Sequence, residues 1–231
     1  MTSDSPSHRI WTRFCQRFEI AQRAVPLFEV DSNGVVSQRS VGRAGAARPV
    51  LIRSQPMQEL VVTSAQKLVD DWRNGVHRYD GLIYFMGWLE QDHFVPLYIG
   101  KTESFGRGDG NLSANIKGLD RDQSKFARWG DNYAYHFGDL SACVLPGHAE
   151  EKRTTKYQSW STTLFTDAST LTPRLQKPVF FWTMAWDASQ TGVWEELGPT
   201  SLAFLEYLLI GIAGRVSPHL LNREGVARGN R

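Results

Sequence analysis

One carboxylate stands apart in this chain of 231 residues. Glu206 lies in LAFLEYLLIGIA, residues 202–213, which holds no other charge. Its neighbours one helical turn away are Leu202, Ala203, Leu209 and Ile210, so no polar stripe solvates it. A carboxylate in apolar surroundings is costly unless it is paired or metal-bound. Two readings stay open. One is a buried ion pair with an arginine. The other is a ligand for Mg2+ (or Mn2+), a hard cation that takes one or two carboxylates and keeps its waters.

A second candidate is LYIGKT, residues 97–102, which ends like a phosphate-binding loop. That loop needs a glycine five residues before the glycine of its Gly-Lys-Thr end. The position is Val95, and Pro96, Leu97, Tyr98 and Ile99 favour a strand over a loop. Loop chemistry is therefore excluded. Two phenols remain, Tyr84 and Tyr98, in the apolar runs GLIYFMGWL and FVPLYIG, with EQDH between them. This reads as a β-hairpin. A turn centred on Gln91 sets Tyr84 directly opposite Tyr98, and a small shift sets them diagonally; either brings the hydroxyls together on one face. A free phenol, with a pKa of about 10, is a poor base at neutral pH unless a cation such as Lys101 or a metal favours the phenolate.

The elements that must position these groups are partly legible. Residues 9–28 have loose helical spacing. Residues 57–74 place Leu60, Val61, Leu68, Val69 and Trp72 on one helical face, closed by Gly75. Residues 102–131 are polar. NYAYHFGDLSACVL reads as a strand or hairpin, residues 149–177 as loop or irregular helix, and PVFFWTMAW as a buried strand. Pro199, Thr200 and Ser201 start a helix that ends at Gly214. The expectation is an α/β (α+β) domain with a small mixed sheet flanked by helices.

Composition narrows the classes. At 41% hydrophobic and 12% aromatic residues the chain should fold as a globular protein. No apolar run reaches the roughly 18 residues of a membrane span. The polar start MTSDSPSHRI carries no secretory signal, and two cysteines, Cys15 and Cys143, fit a reducing cytoplasm. The net charge of +2 neither demands nor excludes nucleic acid. From Ser32 to Gln58 there is no acidic residue, while Arg39, Arg43, Arg48 and Arg53 recur. Such a segment suits phosphate contact, or is an ordinary solvated loop. His136, Cys143 and His148 match no standard zinc spacing.

A hairpin bearing GLIY and then YIG resembles the GIY-YIG nuclease family, with one leucine inserted in the first motif. The rest of that family's pattern follows in order. An arginine is matched by Arg107, a third strand by PVFFWTMAW, a glutamate on an apolar helix by Glu206, and a closing asparagine by Asn222 in PHLLNREG. The resemblance covers about residues 81–225 and is interrupted by an insertion at about 112–177. It implies two regions: a helical, basic extension over 1–80 and a nuclease domain with a three-stranded sheet over 81–231. The stretch FGRGDGNLSANI departs from the family, whose arginine lies within a helix, and Arg121 is a second candidate for that role.

The resemblance implies a metal-dependent endonuclease that hydrolyses DNA phosphodiester bonds. Tyr84 and Tyr98 would be base candidates, assisted by Lys101. Arg107 would hold the scissile phosphate by its planar fork. Glu206 would hold the metal, and Asn222 would orient the phosphate or a loop. Arg43, Arg48, Arg53 and Arg121 are candidate DNA contacts. About nine residues follow Asn222, too few for the long DNA-binding tail of homing nucleases. A compact chain with an extension and an insertion is more like a restriction enzyme, which implies a homodimer, since one site cuts one strand. A repair or mobile-element nuclease and a catalytically silent nucleic-acid-binding module are the alternatives.

Overall fold

The computed structural model describes residues 5–106 and 110–225. Its centre is a sheet in the order β1-β6-β4-β5, where β1 is Val25–Pro26, β4 Tyr79–Glu90, β5 His93–Glu103 and β6 Phe180–Asp187. Every pairing is antiparallel, so the expected mixed, three-stranded sheet is corrected to four antiparallel strands. The fourth strand is two residues of the N-terminal extension, Val25 and Pro26, paired with Phe181 and Phe180.

The hairpin β4–β5 turns at Gln91 and Asp92, both at positive φ (47° and 64°). Two left-handed residues match the right-handed twist of the flanking strands. Glu90 pairs with His93, and the register then slips by one residue at a bulge between Met86 and Gly87. Beyond it Tyr84 faces Gly100, and Tyr98 faces Met86. The tyrosines are therefore diagonal, on one face, with ring centroids 6.4 Å apart.

Each face of the sheet carries its own core. On one face α1 (Pro6–Arg17) and α6 (Leu202–Val216) pack over Ile83, Phe85, Ile99, Trp182 and Trp186. Asp80 accepts a hydrogen bond from the Leu202 amide at 3.0 Å, so β4 itself caps the start of α6. The short helix α2 (Ile20–Arg23) follows α1. On the other face lie α3 (Gln55–Arg73), α4 (His136–Val144) and α5 (Thr155–Leu164). Ser54 caps α3 through the Met57 amide at 3.1 Å. The stretch expected as a strand or hairpin is the helix α4. All nine of its residues are buried, so no polar stripe betrays its period. The loop reading of 149–177 likewise gives way to α5.

A small hairpin, β2 (Gln38–Val41) with β3 (Arg48–Leu51), packs against α4. Buried Arg53 donates to the Trp129 carbonyl at 2.8 Å and to Asp131 at 3.1 Å. Arg39 also bonds Asp131, and Arg48 reaches the Asp131 carbonyl and Asn132, both at 3.1 Å. The acid-free segment is thus fastened to residues 129–132 by its arginines. No helix among the described residues is long and apolar enough to cross a membrane.

Candidate functional site

The site forms on the outer edge of β5. An edge strand leaves alternate backbone groups unpaired, and these attract partners. Here Leu97 O accepts from the Leu221 amide at 2.7 Å. The Asn222 side chain then mimics a neighbouring strand: its Oδ1 accepts from Ile99 N at 3.0 Å and its Nδ2 donates to Ile99 O at 2.8 Å. Next along, the Lys101 backbone amide lies near enough to the Glu206 carboxylate to lower its pKa. Asn222 and Glu206 are therefore placed on either side of Gly100, with Tyr98 in the same run.

Tyr98, Glu206 and Asn222 line one open cleft of about 290 Å³, together with Lys156, Arg223 and Glu224. Lys156 comes from α5, in the insertion, and donates to the Tyr98 hydroxyl at 3.2 Å. Its Nζ also lies 4.7 Å from the Tyr98 ring, 5.1 Å from Tyr157 and 5.4 Å from Trp160. Burial, then the nearby Arg128, brings the Lys156 ammonium down to about 8, while Asp139 opposes both. Burial pushes Tyr98 up to about 12, and Glu206 adds to it. Without a metal, this surrounding favours the neutral phenol.

Glu206 is half-buried, and its pKa is raised. Burial is the main cause; Lys101 opposes it, and Glu103 and Glu224 add to it. No arginine ion pair holds it among the described residues. A carboxylate with two acidic neighbours and little solvent is a place where a hard divalent cation would lower the energy. Among the described residues no group of three or more His, Cys, Asp or Glu is placed to hold a metal. One carboxylate would suit an ion that keeps most of its waters, as Mg2+ does, better than zinc, which takes several protein ligands.

The other sequence candidates lie elsewhere. Tyr84 is buried, with its hydroxyl 3.1 Å from His136 Nε2, and His136 Nδ1 lies 2.8 Å from the Tyr157 hydroxyl. Burial raises Tyr84 well above the ordinary phenol range, and Tyr84 is not among the residues that line the cleft. Lys101 turns to Glu103 at 2.5 Å. Arg107 lies outside the described residues. Arg121 is exposed, 3.6 Å from Asp120, in a separate cleft against α3. Arg43 is exposed at the tip of the small hairpin, whereas Arg48 and Arg53 are taken up by the insertion, Arg53 in the interior where no phosphate reaches it.

No protein-family model, curated protein or solved structure matches this chain. The site therefore rests on its own geometry. Lys156 and Arg128 are the cations nearest in effect to Tyr98; the sequence shows them only among several cations of residues 112–177 that can reach phosphates, with nothing to place them at Tyr98. Their positions depend on how the insertion folds back against β5, for which the sequence carries no spacing signal.

Proposed function

We propose that the chain is a metal-dependent DNA endonuclease, hydrolysing phosphodiester bonds in the cleft along the edge of β5. The observation that carries this reading is the meeting of Tyr98, Glu206 and Asn222, far apart in sequence, around one open cleft lined by cations. Phosphodiester hydrolysis needs a proton acceptor for water, a positive field for the phosphate and a means of stabilising the leaving oxygen.

Glu206 would hold Mg2+, which when bound would neutralise charge on the phosphate and polarise the attacking water. The chain's own residues do the rest. Arg223 and Lys156 face the cleft as cations for the phosphate oxygens. The Tyr98 hydroxyl and the Lys156 amine form a hydrogen-bonded pair through which a proton can leave the water, since neutral Lys156 accepts from the phenol. Asn222 holds Ile99, and with it Tyr98, at a fixed distance from the phosphate. Its role is thus to brace the strand; its amide is already committed to backbone on both atoms.

A second reading is a nucleic-acid-binding module with this fold and no cleavage. The sealed Tyr84 and the raised Tyr98 favour it. Incubation of the chain with supercoiled plasmid, with Mg2+ or with EDTA, separates the two. Nicking with Mg2+ alone supports the nuclease; binding without nicking supports the module. Action as a homodimeric restriction enzyme, and residence in the cytoplasm, which two free cysteines favour, belong to the same proposal.

A further inference from the structure

A second cleft opens beside the first. It is about 350 Å³ in volume and is lined by Lys101, Ser113, Asn115 and Arg128, with Glu103 at its edge. Three features mark it as more than a surface hollow.

The first is the backbone that presents Arg128. Phe126, Ala127 and Arg128 have φ of 32°, 46° and 72°, three successive left-handed residues with no glycine. Each such residue is strained and persists only where its surroundings impose it. Here they do. The Ala127 amide donates to Asn115 O at 2.9 Å, the Thr102 hydroxyl donates to Ala127 O at 3.0 Å, and the Phe126 ring lies 3.9 Å beneath the Arg53 guanidinium. The turn is clamped to β5 on one side and to the N-terminal segment on the other.

The second is Arg128 itself. It is exposed, and no carboxylate pairs with it among the described residues. Its guanidinium leans on the Tyr135 ring at 5.5 Å, which leaves its donors available. The third is Ser113, 7% exposed, whose hydroxyl has no hydrogen-bond partner. A buried polar atom without a partner is uncommon, and this one lines the cleft. An unpaired guanidinium, a buried hydroxyl donor and an ammonium together fit a tetrahedral oxyanion.

We propose that Arg128, Ser113 and Lys101 form a phosphate-binding subsite that holds a phosphodiester of the nucleic-acid strand next to the one in the Tyr98 cleft. This rests on the nuclease reading for the identity of the ligand, and on the cleft's own geometry for its anionic class. Glu103, bound to Lys101, opposes the anion and acts as its competitor.

The test uses the full chain without divalent metal. Binding of duplex oligonucleotides bearing single neutral methylphosphonate linkages is followed by fluorescence anisotropy. One linkage should weaken binding to the wild type, and Arg128→Ala should no longer sense that linkage. The variant's salt slope should fall by about one. Arg128→Gly suits the left-handed backbone and controls for folding. Ser113→Ala should weaken binding, and Glu103→Gln should strengthen it. Wild-type affinity and salt slope in Arg128→Ala and Arg128→Gly, with wild-type cleavage intact, would overturn the subsite and leave the nuclease reading standing. If the wild type binds no DNA, the nuclease reading falls, and inorganic phosphate becomes the probe. A rise in melting temperature with phosphate that Arg128→Gly lacks keeps the anion site; an equal rise in both, or none in either, removes it.

Discussion

The ring of Tyr84 lies across Gly100. A Cβ built at residue 100 would meet the Tyr84 Cε2 at 2.6 Å and its hydroxyl oxygen at 2.7 Å. The two residues are directly paired across β4 and β5. The glycine of YIG thus makes room for the tyrosine of GLIY, and each half of the paired motif requires the other. Gly100→Ala should destabilise the fold by about 1–3 kcal/mol, as overpacking does. Adding Tyr84→Leu should recover part of that loss. Urea unfolding of the three variants checks it; a Gly100→Ala protein as stable as the wild type would mean that the ring moves aside freely.

Behind Tyr84 sits His136, between two phenols and buried. Burial is the main cause of its pKa lying well below the ordinary value, and Lys156 and Arg128 act the same way. A neutral imidazole offers one donor and one acceptor, so one tyrosine donates to it and the other accepts. The unfolded chain protonates His136 near pH 6.5, and the folded chain does so only at lower pH. The unfolded state therefore binds the extra proton as pH falls below about 6.5, and stability is lost in that window. In urea titrations from pH 7.5 to 5, His136→Phe should lose less stability than the wild type. Parallel acid limbs in both proteins would show that the proton enters elsewhere.

The hairpin and α6 were legible because their apolar runs are long and their ends carry turn and cap residues. The helix α4 was not, since a helix buried all round has no polar face to reveal its period. Nor was the bulge at Met86 and Gly87 legible: the turn that pairs Glu90 with His93 would by itself set Tyr84 opposite Ile99, and the bulge moves it on to Gly100, which brings the two tyrosines onto one face. In the site, Glu206 was visible as a lone charge in an apolar run. Arg53 looked like a surface cation because its partner Asp131 is distant in sequence and reached only through the packed insertion.

Glu206 offers a prediction in which stability and activity part. Its raised pKa means that the folded state disfavours the charged form. Glu206→Gln removes that charge and keeps an oxygen for the Lys101 amide, so the variant should be at least as stable as the wild type. Mg2+-dependent cleavage should fall by about 10³-fold or more if the carboxylate holds the ion. Plasmid nicking and thermal melting on the same preparation read both. Cleavage within tenfold of the wild type would remove Glu206 from the metal's coordination.

The last prediction concerns the pair Lys156 and Tyr98. The groups facing Lys156 are Tyr98, Tyr157, Asp139 and Glu206 on the side that favours its charge or accepts its bonds, and Arg128 and Arg223 on the side that opposes it. With burial, their balance holds it at about 8. Below that pH the ammonium donates to the phenol oxygen, and the pair has no site for a proton. Above it the amine is free to accept from the hydroxyl, and the hydroxyl from water. Cleavage should therefore rise with pH through about 8 and level off, the sign expected of a base that must be neutral. Lys156→Met keeps much of the stem's packing against Tyr98 and Trp160 and should flatten this rise while lowering the plateau. Tyr98→Phe, which costs only about 1 kcal/mol of stability for one hydrogen bond, should do the same. A pH profile whose rise persists unchanged in Lys156→Met would assign the titration to another group and reduce Lys156 to a cation that holds phosphate.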